Sequence, residues 1–393
     1  MRLVIFVAPF ALPTTARTLR AVGALPDVRL VAVLQEPPPE PIPGDVVLCS
    51  AVMDDSVLGQ TLDAIVEKLG APHRLLGILE DLQISLAHQR ERLGLRGPGP
   101  DVIAGFRDKA KMKQILRQSQ VPVAASLQVN GSAEPGAVVD AVGLPMVLKP
   151  LAGAGAAATV RVNDRSSVAQ ALQTLPRPLI AEQFLTGKEH SMEVFVVDGH
   201  PVYHSPTRYY PSALEVASNP HLQWVVHLPL DPAPFTDAAN TVDRALLALG
   251  MDTGLAHAEW FRQHDGEVLI GEIGARPPGA GFLDLHSAAT DADWYHLWAR
   301  LVVDGVFEDP GPRAWSVAGV YLRGAGQGRV TSITGLDEAQ RVLGAFVVHA
   351  RLPQVGQPRR SGYEGDGFVI LRHRDDEVVK RAALHLIQTV RVH

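Results

Sequence analysis

The stretch GLAHAEWFRQHDGEVLIGEIGARPPGAG places two glutamates, Glu259 and Glu272, thirteen residues apart, with Arg276 four residues beyond the second. Each glutamate sits in a short apolar run, LAHAEWF (255–261) or VLIGEI (268–273), and RQHDGE between them carries an Asp-Gly turn signal. Runs of that length around such a turn predict a β-hairpin, with the two carboxylates across from each other. Paired carboxylates beside an arginine suit a hard cation and the phosphates it bridges. The plain alternative is an ordinary hairpin with two solvated glutamates.

Two upstream elements narrow the choice. LPMVLKPLAGAGAAATVRV reads as strand, glycine-containing turn and strand, with Lys149 ending the first strand. A lysine beside mobile main-chain N–H groups suits a triphosphate. Gly153 and Gly155 also match half of a dinucleotide fingerprint, but that motif needs a helix after the turn, and residues 159–162 read as strand. LIAEQFLTGKEHSMEVFVVDGHPVY predicts a strand over 179–182, a turn through FLTGKE, and a second strand over 191–197. Its Glu182, Gln183, Phe184 and Leu185 offer main-chain groups for a purine edge, and Glu189 offers an acceptor for ribose hydroxyls. Alone, a carboxylate after a Gly-Lys turn is a solvated side chain.

Read in order, FRDKAKMKQIL, VLKP with its small-residue loop, AEQFLTGKEHSME, HAEW and GEIGARPPG resemble the motifs of the ATP-grasp superfamily, specifically its carboxylate–amine ligases, over most of the chain. The resemblance implies an α/β chain, in part α+β, with the ATP-grasp fold. Its parts would be a Rossmann-like amino-terminal domain (1–100), a nucleotide-binding and catalytic region (101–310) and a small biotin-carboxylase-like carboxy-terminal lobe (311–393). By resemblance, Lys109 and Lys149 contact ATP phosphates beside Gly153 and Gly155, residues 182–185 hold adenine, and Glu189 holds ribose. Glu259 and Glu272 would hold Mg²⁺, with Mn²⁺ as a substitute, and Arg276 would join Lys149 in facing the transferred phosphate or acyl phosphate. The chain departs from the family at Gly274, where many members carry Asn, an oxygen ligand. That departure keeps a degenerate nucleotide-binding protein in view.

Composition agrees. At 393 residues the chain can bury a large core in two or three domains. A net charge of -6 with 20% charged residues gives no electrostatic pull toward nucleic acid. The single cysteine, Cys49, excludes an intrachain disulfide and a multi-cysteine metal site, and fits a cytoplasmic protein. MRLVIFVAPFAL mimics a short signal peptide, but one charge precedes it and a similar apolar run follows at residues 28–34, the spacing of a βαβ unit. No run approaches the length of a membrane span.

Further strands are predicted at DVVLCS and RLLGILE, and helices over 56–69, 84–95 and 108–118, with Asp108 as an N-cap. RGPGP (96–100) reads as a boundary. The carboxy-terminal part predicts strands SVAGVYLRG, GRVTSI and FVILRH, and helices over 292–303, 336–342 and 376–390.

The substrate is less legible. Arg208, Tyr209 and Tyr210, in HSPTRYYPSALE, and Arg323 are candidates for a carboxylate-bearing ligand. His257 shares the strand face of Glu259, where it can orient that carboxylate or approach substrate. By resemblance the partners are a small carboxylate, an amino acid first, and an amine, with a homodimer among the assemblies allowed. The rivals are an ATP-grasp enzyme acting on bicarbonate or formate and a non-catalytic ATP-binding protein.

Overall fold

The computed structural model describes residues 1–131, 133–152, 158–219, 222–324, 328–360 and 362–393. The chain opens with β1 (Arg2–Val7), α1 (Pro13–Gly23), β2 (Val28–Leu34), β3 (Asp45–Leu48), α2 (Asp55–Leu69), β4 (Arg74–Leu76) and α3 (Gln83–Arg92). The strands form a parallel sheet ordered β3-β2-β1-β4. Helices cover both faces, so β1 is buried on both sides: Leu3, Ile5 and Val7 enter one core, Val4 and Phe6 the other. The Rossmann-like reading of this part holds. RLLGILE, however, is strand only to Leu76 and then bends into a short 3₁₀ turn at Glu80–Leu82, a bend that matters below.

Helices α4 (Pro100–Arg107) and α5 (Lys109–Gln118) follow, separated by Asp108. The Asp108 carboxylate accepts from the Ala110 and Lys111 amides, capping α5 as expected. Next come β5 (Ser126–Val129), α6 (Pro135–Val142), β6 (Met146–Pro150), β7 (Val160–Val162), α7 (Arg165–Thr174) and β8 (Leu179–Gln183). Their strands form an antiparallel sheet ordered β5-β8-β6-β7. Gly153 and Gly155, between β6 and β7, lie outside the described residues.

The remaining elements are β9 (Lys188–Val197), β10 (His200–Tyr210), α8 (Ala213–Ser218), β11 (Trp224–Leu228), α9 (Thr236–Leu249), β12 (Gly254–Arg262), β13 (Val268–Gly274), α10 (Phe282–Thr290) and α11 (Trp294–Asp304). They lead into β14 (Ser316–Leu322), β15 (Ile333–Thr334), α12 (Leu336–Leu343), β16 (Val347–Arg351), β17 (Gly367–His373), α13 (Asp376–Thr389) and β18 (Arg391–Val392). Eight of these strands make one sheet in the order β13-β12-β9-β10-β11-β14-β17-β16. After residue 311, β14, β17 and β16 therefore continue the sheet that carries the glutamate hairpin, and β15 pairs with β18 in a separate sheet. GRVTSI is not the strand expected: Arg329 makes an isolated bridge with Pro358, and the last residue of the segment, Ile333, pairs with β18 as part of the short β15.

The predicted hairpin is β12–β13, closed by Gly266 at φ 93°, a left-handed value that suits glycine. Strand periodicity divides β12. Ala256, Ala258 and Trp260 pack with Met192, Val194 and Ile270 against Met112 and Leu116 of α5 and Val242 and Leu246 of α9. His257 and Glu259 face the other way.

Candidate active site

Register builds the site on that second face. Glu259 pairs with Glu272 on one side and Ser191 on the other, while His257 pairs with Glu193 and Phe261 with Glu189. Opposed residues share a face. Of this row, Glu189, His257, Glu259, Phe261 and Glu272 line a cavity of about 420 Å³, which the β6–β8 sheet, residues 276–282 and Tyr363 help enclose, while Ser191 and Glu193 are buried behind them.

Three lysines converge there. Lys109 Nζ lies 3.0 Å from Glu272 Oε1, and Lys149 Nζ lies 2.9 Å from Glu182 Oε2. Lys113, one helical turn after Lys109, had no sequence signal of its own beyond that spacing. It is buried, donates to the Ile270 carbonyl at 3.0 Å and sits 3.9 Å from Glu182 Oε1. Burial pulls the Lys113 ammonium down to about 8 despite Glu182. Burial also works against Lys149, but Glu182 and Glu272 more than offset it and the net shift is upward. Burial likewise opposes ionisation of Glu182, and Lys113 and Lys149 outweigh it.

Residues 182–185, expected to hold adenine, all line the cavity. The Glu182 side chain bridges lysines, the Gln183 amide donates to the Ala125 carbonyl at 2.9 Å, and the Phe184 amide donates to the Pro145 carbonyl at 3.0 Å. Those two main-chain donors are committed within the fold because β8 is a paired strand. Phe184 and Leu185 still line the cavity, and Arg161 covers the Phe184 ring at 4.0 Å. Glu189 faces the cavity from β9 and accepts from the Ala213 amide at 2.7 Å. Burial, reinforced by Glu259, pushes its carboxyl up to about 8.

Arg276 lines the cavity, but its Nε is bonded to Glu80 Oε2 and its Nη1 to the Pro277 carbonyl at 2.8 Å. Glu80 also accepts from Arg107 at 2.9 Å, and burial opposes its ionisation while Arg276 and Arg107 outweigh burial. A Cβ on Gly274 would stand 3.4 Å from Glu80 Oε2, so this carboxylate borders the position where the ATP-grasp resemblance leads one to expect Asn.

His257 Nδ1 lies 2.6 Å from Glu193, and its Nε2 lies 3.5 Å from Glu259. Burial works against the imidazolium, and the bonds to Glu193 and Glu259 raise it to about 9. Glu193, fully buried, also lies 2.6 Å from His286, which meets Ser205 at 2.7 Å. The candidates from residues 208–210 separate by strand alternation. Tyr209 enters the cavity, whereas Tyr210 is exposed. Arg208 pairs with His190 on the helix-covered face, its guanidinium 5.1 Å over Phe235, and is not among the cavity-lining residues. Arg323 is also away from the cavity wall: it clamps a loop, donating to the carbonyls of Asn219, Leu222 and Gly362.

Among the described residues, no group of three or more His, Cys, Asp or Glu side chains is arranged to hold a metal ion. Glu259 and Glu272 supply two hard oxygen donors in register, the protein contribution that suits Mg²⁺ completed by phosphate oxygens and water. Lys149→Ala is expected to weaken ATP binding by about 1.5–3 kcal/mol, the loss of a charge-assisted contact, measured by calorimetry. Unchanged affinity removes Lys149 from the phosphate site.

Residues 114–292 match the family model described as the ATP-grasp domain. The chain is 22% identical to an L-arginine-specific L-amino acid ligase of Bacillus subtilis over 306 residues, 75% of this chain and 73% of that protein. It is 29% identical to a D-alanine–D-alanine ligase of Sodalis glossinidius over 225 residues, 52% of this chain and 60% of the relative. The crystal structure of an L-amino acid ligase from Bacillus licheniformis superposes with a TM-score of 0.81 at 19% identity, covering 100% of this chain and 98% of that one. No helix of the described residues is long and apolar enough to cross a membrane.

Proposed function

We propose that this chain, whose residues 114–292 match the ATP-grasp domain, activates an amino-acid carboxylate with ATP and joins it to an amine, releasing ADP and phosphate. The observation that carries this reading is the in-register pair Glu259 and Glu272, facing one cavity with Lys109, Lys113, Lys149 and Arg276. A carboxylate is a poor electrophile. Its oxygen attacks the γ-phosphorus, the bond to the β–γ bridging oxygen breaks, and ADP leaves with that electron pair. The amine nitrogen then attacks the acyl carbon of the acyl phosphate, and phosphate departs as the nitrogen loses a proton.

The residues act by position and charge. Lys149 and Lys109 neutralise phosphate oxygens, and Glu189 meets the ribose. Arg276 faces the phosphoryl group in transfer. Glu259 and Glu272 would hold Mg²⁺, which when bound neutralises charge on the phosphates. His257 orients Glu259 from the Glu193 side.

Hydroxylamine is expected to trap the activated acid as a hydroxamate while ADP and phosphate accumulate. AMP and pyrophosphate as products would exclude the acyl phosphate. Phosphate release on bicarbonate or formate, with none on any amino acid, would select the carboxylase-like or formate-using rival.

A further inference from the structure

Beyond the charged end of the cavity, four aromatic rings arrive from four separate parts of the chain: Tyr209 from β10, Trp224 from the start of β11, Phe282 from α10 and Tyr363 from the turn before β17. Trp224 is the hub, with ring centroids 5.1 Å from Tyr209, 4.6 Å from Tyr363 and 6.1 Å from Phe282. Such a cluster is ordinary as core, and Val226, Leu228 and Leu285 pack behind it. All four rings, however, also line the cavity that holds Glu259 and Arg276. Tyr209, Trp224 and Phe282 are buried and meet the cavity at their edges, while Tyr363 is partly exposed.

The wall starts where the reacting groups end. Phe282 stands 5.6 Å from the His257 ring, edge to face. Tyr363 feels the charges of Glu259, Arg276 and Glu272, and Tyr209 those of Glu259, Glu193 and Glu189. Burial and those carboxylates hold both phenols well above their ordinary range, so the wall carries no charge. Lys109, Lys113 and Lys149 occupy a different stretch of the lining, around Glu182 and Glu272. A donor acid with its carboxylate toward Arg276 and the glutamates therefore turns its side chain onto aromatic carbon. The four rings offer a charged side chain no counter-ion.

We propose that Tyr209, Trp224, Phe282 and Tyr363 form the side-chain subsite for the carboxylate substrate and select a large, uncharged apolar amino acid. This assignment rests on the ligase reading above. An apolar subsite discriminates by methylene count, each worth about 10- to 200-fold in kcat/KM, and favours the larger side chain it can seat.

The test is hydroxamate formation by the full chain with ATP, magnesium and single amino acids, using hydroxylamine as a common acceptor so that amine preference does not enter. Leucine, methionine and phenylalanine are expected to exceed glycine, alanine, aspartate, glutamate, lysine and arginine by at least about tenfold in kcat/KM. Tyr363→Ala, at a partly exposed turn, and Phe282→Leu should each shift the rank order among the large side chains while ATP affinity stays constant. A preference for small or charged amino acids, or a rank order unmoved in both variants, overturns the wall assignment while leaving the ligase reading standing. Hydroxamate from no amino acid, with phosphate release on bicarbonate or formate, overturns the ligase reading and the wall with it.

Discussion

Glu272→Gln is expected to slow phosphate release at least about a hundredfold at saturating ATP and magnesium, because a neutral amide is a poor ligand for a hard dication that must offset phosphate charge. The substitution keeps shape and one hydrogen-bond acceptor. Two facing carboxylates would repel each other in isolation, but here the Lys109 ammonium lies 3.0 Å from Glu272. Removing the Glu272 charge therefore relieves repulsion with Glu259 and weakens an attraction to Lys109 together. The two effects oppose, so thermal stability without magnesium should move by no more than about 1 kcal/mol. Full activity in this variant would make the hairpin a structural feature alone. A collapse of thermal stability would mean that Glu272 serves the fold before it serves a cation.

How the site was and was not legible follows from where each residue sits. The hairpin was readable because strand period and an Asp-Gly turn are local signals, and period two brings Glu259 and Glu272 to one face. Asp108 was readable for the same reason, since a cap acts on the next turn of its own helix. Glu80 was not, because it meets Arg276 across 196 residues of chain, from a turn that reads as the end of a strand. Glu193 and His286 were hidden in a similar way: each sits in an apolar stretch, and only pairing across the sheet and packing from α10 bring them to His257. Arg208 shows the converse error. It stands beside a cavity residue in sequence, but in a strand the next residue points to the opposite face, where its partners are His190 and Phe235. Arg323 misled because a buried arginine satisfied by three loop carbonyls has no sequence mark to separate it from one awaiting an anion.

Glu80→Gln is the second substitution expected to have a large effect, although Glu80 comes from a turn at the edge of the parallel sheet, far along the chain from the hairpin. Its carboxylate sits between Arg107 and Arg276 and fixes the direction in which the Arg276 guanidinium enters the cavity. Without that charge Arg276 keeps the Pro277 carbonyl and loses its ionic anchor. A misplacement on the order of 1 Å at a charge-stabilising group costs about 100-fold in rate, so kcat should fall by roughly 10- to 100-fold. ATP affinity should change by less than about twofold, because Glu80 acts through the arginine proposed above to face the phosphoryl group in transfer rather than the bound nucleotide. If Glu80 works only through Arg276, the double variant Glu80→Gln with Arg276→Ala should be no slower than Arg276→Ala alone, and kinetics on that cycle decide the matter. The same geometry bears on what an asparagine at 274 would do. Gly274 lies outside the left-handed φ region, so its backbone accepts a side chain. The new Cβ, however, would stand 3.4 Å from Glu80 Oε2, and an amide beyond it competes with Arg276 for that oxygen. Gly274→Asn should therefore lower kcat in the same direction as Glu80→Gln, and a gain in rate would show instead that the added oxygen reaches the cation without disturbing the arginine.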